Sequence, residues 1–154
     1  GDPGGDQSLG SSEYLELVHG EVRGTQSIDL LAEKSLHDLL IRAIGRGLLR
    51  SAHDCSDGGL AVALAESCII GDTGFKGALP VNGRLDAALF GEAQSRAVVS
   101  VSPGAVRRLE EMAFKLGVPV TRLGTVGGGR FILKGLADLP VIDLEQAWSN
   151  GLKI

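Results

Sequence analysis

Ser51-Ala52-His53-Asp54-Cys55-Ser56-Asp57-Gly58-Gly59-Leu60 is the stretch whose reading decides the fold. Behind it, residues 61–70 are small and apolar almost throughout and predict a buried helix. Ahead of it, residues 28–49 predict a long amphipathic helix. Asp57 or Ser56 suits the N-cap of the apolar helix, its side-chain oxygen accepting from the first unpaired backbone N–H groups. Gly58 and Gly59 leave those N–H groups uncovered, and the helix dipole adds partial positive charge there. An apolar helix opening under a bare glycine turn is a seat for a phosphate or carboxylate. Asp54 carries the kind of carboxylate that holds magnesium beside a nucleotide phosphate. The same residues also make an ordinary capped helix after a tight turn, with His53 hydrogen-bonded and chemically silent. A short glycine turn does not separate the two readings.

Working outward, Leu30, Leu31, Leu36, Leu39, Leu40, Ala43 and Ile44 recur at helical spacing, with Glu33, Lys34, Asp38 and Arg42 opposite them. Asp29 is the expected N-cap, and His37 falls among polar neighbours as a solvated residue. Further upstream, Ser11 or Ser12 caps a short helix over Glu13–His19, which Gly20 ends. His19 is expected near that end on the surface. Residues 1–10 are rich in Gly, Asp and Ser and read as a loop; with no initiator Met, that start suits a piece of a larger protein. Residues 51–54 are expected to run extended and deliver Asp54 to a sheet edge.

Downstream, residues 71–74 form a turn, and 75–79 and 87–90 are candidate strands. Residues 96–102 are Val-rich and predict a strand buried on both faces. Ser102 with Pro103 then opens a helix to Leu116, with Val106, Leu109, Met112, Ala113 and Leu116 inward. Residues 119–126 and 130–133 read as strands around Gly127-Gly128-Gly129. That glycine run lies between strands with no helix dipole behind it, so a hairpin turn is expected. Residues 141–144 lead into a last helix over 145–150 carrying Trp148. Alternating helices and strands predict helices over a mixed sheet.

The chain has 154 residues, 44% hydrophobic and 22% charged, which suits one globular domain over 11–154. With four Phe, one Tyr and one Trp, the core must come from Leu, Val, Ala and Ile. A net charge of −4 argues against a nucleic-acid footprint. No apolar run reaches the length of a membrane span. Cys55 and Cys68 have neither CxxC spacing nor a disulfide framework, so a reduced, cytoplasmic protein is expected. A second polar set, Glu92, Gln94, Ser95 and Arg96, sits at a strand boundary beside Gly91, where it suits a ribose or phosphate or makes a plain polar turn.

The segment His-Asp-Cys-Ser-Asp-Gly-Gly-Leu-Ala-Val-Ala-Leu-Ala-Glu over 53–66 closely resembles the C-terminal part of the phosphoribosylformylglycinamidine synthase family. Leu9-Gly10-Ser11-Ser12-Glu13-Tyr14-Leu15, Leu89-Phe90-Gly91-Glu92-Ala93-Gln94-Ser95-Arg96 and Leu123-Gly124-Thr125-Val126-Gly127-Gly128 resemble further segments in family order. The resemblance implies a C-terminal synthetase-type domain of α+β class, three α/β/α layers with a mixed sheet. It implies a share in an ATP-dependent ligase that forms a C–N bond with glutamine as amide donor. The substrate would be formylglycinamide ribonucleotide and the product its amidine, with Mg2+ and ATP required. It implies Asp54 as a metal ligand, Ser56, Gly58 and Gly59 as nucleotide contacts, and His53, Glu92, Gln94, Ser95 and Arg96 near substrate. Ala93 replaces the family's serine, which removes one hydroxyl from that segment. The catalytic histidine and other metal ligands are implied in N-terminal domains of the same enzyme, and ammonia from a glutaminase partner, so this chain alone is expected to be inactive. Aminoimidazole ribonucleotide synthetase, selenophosphate synthetase and thiamine-phosphate kinase share the domain type, and a structural, pseudo-symmetric domain holding a non-catalytic nucleotide is the other alternative.

Overall fold

The computed structural model describes residues 6–79, 81 and 83–151, so the first five residues of the expected N-terminal loop lie outside the described residues, and Asp6–Leu9 form a 3-10 turn where a loop was expected. The chain divides into two compact units, residues 1–63 with 82–121 and residues 64–81 with 122–154. Mixed α and β elements and a mixed sheet make the fold α+β.

In the first unit, α1 (Glu13–His19) begins where Ser12 accepts from the Leu15 N–H and ends at Gly20 in the left-handed conformation. Tyr14 of α1 stacks on Phe90, ring centroids 4.8 Å apart. The long helix α2 (Leu30–Gly45) begins at Asp29, whose carboxylate accepts from Leu31 and Ala32 N–H. It stops at Gly45, and Leu49 is already the first residue of β1 (Leu49–Asp54). β1 pairs antiparallel with β3 (Ala97–Val101), Asp54 opposite Ala97. Leu36, Leu39 and Ala43 of α2 bury against Leu48, Ala105, Leu109, Ala113 and Val118, and Val99 and Val101 pack against the same cluster. Each fully buried Leu there contributes about 1.5–3 kcal/mol. Leu109 and Ala113 lie on α5 (Val106–Lys115), preceded by a 3-10 turn at Pro103–Ala105. Pro103 takes the first position as expected, but Ser102 makes no side-chain cap bond.

Two further expectations fail in this unit. Residues 87–90 are not a strand: they belong to α4 (Leu85–Phe90). Ala87 and Ala88 carry high helix propensity, and Asp86 in the first turn accepts from the Ala87 N–H, which outweighs the short apolar run. β3 is half-buried along its length instead of buried on both faces, because among the described residues β1 is its one strand neighbour.

The apolar helix α3 (Gly59–Ile70) buries Ala63, Leu64 and Cys68, while Ile70 is exposed. Cys55 and Cys68 are buried free thiols. Among the described residues no helix is long and apolar enough to cross a membrane.

The second unit holds a four-stranded sheet in the order β4 (Gly124–Val126), β2 (Phe75–Gly77), β5 (Arg130–Leu133), β6 (Ala137–Pro140). β2 runs parallel to β5 and antiparallel to β4. Gly127-Gly128-Gly129 is therefore not a hairpin turn: β2 lies between the two strands it joins. The run must cross two strand spacings, about 10 Å, which the chain from Val126 to Arg130 reaches at about 3.3–3.6 Å per residue. It passes over Gly74, whose N–H donates to the Gly128 carbonyl at 2.6 Å and whose carbonyl accepts from the Gly127 N–H at 2.8 Å. A Cβ on Gly74 would stand 2.4 Å from the Arg130 carbonyl oxygen, so glycine is required at this crossing. The last helix, α6 (Val141–Gly151), begins earlier than expected and follows β6, a strand that the sequence did not announce.

Candidate functional site

The sequence motif of 51–60 lands at the end of β1 and the turn into α3, wholly within the first unit. The antiparallel ladder carries Asp54 to its last rung, and Cys55 N–H continues the pairing by donating to the Arg96 carbonyl at 3.2 Å. Gly58 and Gly59 both hold positive φ, +75° and +66°. A Cβ on Gly59 would stand 2.6 Å from the Gly91 carbonyl oxygen and 2.9 Å from the Phe90 carbonyl carbon. The turn therefore fits against the end of α4 only because residue 59 has no side chain.

Beside this turn lies a cleft of about 320 Å³. Asp54, Cys55, Ser56 and Asp57 line it from one side, and Glu92, Gln94, Ser95 and Arg96 from the loop after α4. Glu33, Leu36 and His37 of α2 complete the wall. Of the residues singled out from sequence, Asp54, Ser56, Glu92, Gln94, Ser95 and Arg96 thus meet at one place. His53 does not line it: its Nδ1 sits 2.7 Å from the Asp54 carbonyl oxygen.

The structure corrects the expectation of uncovered donors on the glycines. Gly58 N–H donates to Glu92 Oε1 at 2.9 Å, and Gly59 N–H to the Ser56 carbonyl at 2.9 Å. Arg96 is buried, its Nη2 donating to the Gly91 carbonyl and its Nε to the Ala93 carbonyl at 3.2 Å. Its guanidinium thus braces the loop that carries Glu92. Ser95, at φ +61°, donates its hydroxyl proton to Glu33 Oε2, and Glu33 Oε1 lies 2.9 Å from His37 Nε2. Glu33 and His37 were missed, although their i,i+4 spacing on one helix is the pattern of a side-chain pair.

Glu33, Asp54, Asp57 and Glu92 set four carboxylates against Arg96 and His37. Such a wall repels a bare phosphate and suits a cation or an anion that arrives with one. The exposed carboxylate of Asp54 can supply one ligand to such a cation. Among the described residues no group of three His, Cys, Asp or Glu side chains converges as a metal site. A magnesium here would have to draw its remaining ligands from phosphates, water or another segment, as this ion commonly does. Burial pushes the Cys55 thiol up from its ordinary range, with Arg96 acting weakly the other way, so the cleft offers no activated thiolate.

A family model described as AIR synthase related protein, C-terminal domain, matches residues 4–134. The phosphoribosylformylglycinamidine synthase subunit PurL of Thermomicrobium roseum is 44% identical over 150 residues, covering 94% of this chain and 20% of that protein. Among solved structures, T. maritima PurL complexed with FGAR superposes with a TM-score of 0.70 at 24% identity, over 82% of this chain and 23% of that one. T. maritima PurL complexed with ATP gives a TM-score of 0.66 at 25% identity, over 92% of this chain and 24% of that one. The chain spans about a fifth of the length of the curated relatives it matches.

Proposed function

Because this chain belongs to the family of AIR synthase related protein C-terminal domains, we propose that it is the C-terminal domain (11–154) of a phosphoribosylformylglycinamidine synthase and forms one wall of that enzyme's nucleotide site. The observation that carries the reading is the cleft itself. It gathers Asp54, Ser56 and Gln94, three exposed polar side chains from two separate segments, in a chain 44% identical to a relative that bears the synthase name. The relative with ATP bound supports a nucleotide as occupant.

The whole enzyme would combine formylglycinamide ribonucleotide, ATP and glutamine-derived ammonia to give the amidine, ADP and phosphate. The amide oxygen leaves as phosphate after ATP has activated it, and ammonia takes its place on carbon. Magnesium, when bound, shields the phosphate charge. Asp54 is the carboxylate of this chain that would hold it, and Ser56 and Gln94 would orient phosphate or ribose oxygens. Gly58 and Gly59 shape the turn, and their own N–H groups stay with Glu92 and Ser56. The buried Arg96 and the strained Ser95 fix the loop opposite. N-terminal domains of the same cytoplasmic enzyme close the site, and a glutaminase subunit or domain delivers the ammonia.

The test is Asp54→Asn in the full-length enzyme, together with calorimetry of the present chain against Mg-ATP. Turnover falls while folding and assembly persist if Asp54 belongs to the chemistry. Loss of assembly would instead favour a structural nucleotide. One carboxylate cannot offset the entropy of fixing a triphosphate, so the isolated chain binds Mg-ATP weakly or not at all. Tight binding that disappears in Asp54→Asn would mean that this domain holds a complete site.

A further inference from the structure

Glu92 stands in the segment that resembles a substrate-contacting one, yet one oxygen of its carboxylate is bonded inside the fold. Oε1 accepts from the Gly58 N–H and from the Glu13 N–H, both at 2.9 Å. Glu13 is the first residue of α1, so its N–H is one of the donors that a helix cannot satisfy internally. The two donors come from segments 45 residues apart, which one carboxylate ties together. Glu92's own backbone is fixed independently: its N–H donates to the Ser8 carbonyl at 2.9 Å, and the neighbouring Gly91 N–H to the Ala87 carbonyl at 3.0 Å. At Gly91 a Cβ would come within 2.1 Å of Ser8 Oγ, so the chain is pressed close at this point. The carboxylate is thus held in place from behind and bonded in front.

We infer that Glu92 is a positioning residue: an internal anion that fills the seat between Gly58 and Glu13 and sets the turn presenting Asp54 and Ser56 to the cleft. The inference rests on the reading above for what Asp54 and Ser56 do, but the seat is defined by geometry alone. Gly58 lies two residues past Ser56, and the Gly59 N–H to Ser56 carbonyl bond closes the turn between them. Releasing Gly58 frees the closed end of that turn. Bonds to an ionised acceptor are the stronger kind, so removing the acceptor is felt at both donors.

The experiment uses the 15N-labelled chain with Glu92→Ala and Glu92→Gln, and formate as the probe for the vacated seat. In Glu92→Ala the Gly58 and Glu13 amides exchange about tenfold faster or more, while the Ala113 amide in the core keeps the parent rate. Formate shifts those two amide resonances in Glu92→Ala and leaves them unmoved in the parent. Glu92→Gln retains an acceptor oxygen, so both amide protons move upfield together and exchange stays nearer the parent. Should Glu92→Ala fail to fold, the paired upfield movement in Glu92→Gln decides alone. Unchanged Gly58 and Glu13 amides in either folded variant, or formate without effect on them in a folded Glu92→Ala, overturn the assignment. In the full-length enzyme, Glu92→Ala raises KM for ATP about tenfold, formate recovers part of the loss, and Glu92→Gln stays near the parent. The amide measurements contain no nucleotide, so they stand even if the proposed synthase activity is wrong.

Discussion

Replacing Gly59 by alanine isolates how tightly the turn into α3 is pressed against the end of α4. Two costs are separable. The first is conformational: at φ +66° an L-residue pays about 1–2 kcal/mol over glycine. The second is steric: the added Cβ would stand 2.6 Å from the Gly91 carbonyl oxygen, 2.9 Å from the Phe90 carbonyl carbon and 3.1 Å from the Leu89 carbonyl oxygen. All three are backbone atoms, so no side chain can swing away, and forcing extra volume into a packed site costs about 1–3 kcal/mol. Together the substitution should cost about 2–5 kcal/mol, a large share of the roughly 5–15 kcal/mol that holds a typical domain. Gly47 supplies the control, because it has nearly the same φ, +63°, with nothing within 4 Å of where a Cβ would stand. Gly47→Ala should therefore lose only the conformational part. Urea unfolding of the parent and both variants reads the difference, with Gly59→Ala lower in midpoint than Gly47→Ala by about 0.5–2 M at ordinary slopes. Gly59→Val should be worse than either, since a β-branched residue tolerates positive φ least. Equal midpoints for Gly59→Ala and Gly47→Ala would refute the close approach and the tight turn built on it.

Leu109→Ala should cost about 2–5 kcal/mol by urea unfolding, because Leu109 is buried between α2 and Val118 in the main core of its unit. Asp29→Ala removes the acceptor for the Leu31 and Ala32 N–H groups and should cost about 1 kcal/mol, with Asp29→Ser recovering most of it. Asp86 gives a pH dependence: its bidentate bond with Arg84, foremost, holds its carboxyl below the ordinary range. The folded chain therefore takes up that proton later than the unfolded chain, so this stabilisation is complete above about pH 4–5 and fades as pH falls through the folded value. Asp86→Asn should lower the urea midpoint at neutral pH by an amount worth roughly 0.5–1 kcal/mol, and the gap to the parent should close near pH 2.

The parts of the fold that the sequence made legible are those decided by local physics. Ser12 and Asp29 cap α1 and α2 because a short polar side chain at that position reaches the first free N–H groups whatever surrounds it. Gly20 and Gly117 mark helix ends for the same local reason, a left-handed backbone that glycine adopts freely. The inward face of α5 followed from spacing alone, since Leu109 and Ala113 recur four residues apart. What stayed hidden depends on partners distant in sequence. Nothing in Gly127-Gly128-Gly129 records that β2, some fifty residues earlier, lies between the strands it joins; only the pairing of Phe75 with both Val126 and Phe131 reveals it. Ala87-Ala88-Leu89-Phe90 is the local exception: it has the apolar character of a short strand, but the helix propensity of its alanines and Asp86 in the first turn make it helical.

The cleft divides along the same line. Asp54 and Ser56 were legible because their neighbours in sequence make the strand end and the turn that expose them. Glu33 and His37 were not, because a helix face looks solvated until another loop is brought against it, and Ser95 does this from 62 residues away. Glu92 shows why residue type and proximity to a glycine turn do not settle a role. A carboxylate there suits contact with a substrate, yet the two N–H groups at 2.9 Å use its acceptor oxygen within the fold. Six of the polar residues around the cleft therefore fall into two groups. Asp54, Ser56 and Gln94 face solvent at its mouth, while Glu92 Oε1, the Ser95 hydroxyl and the Arg96 guanidinium bond to the backbone and to Glu33. Substitution in the second group should alter the cleft's shape before it alters the chemistry presented there.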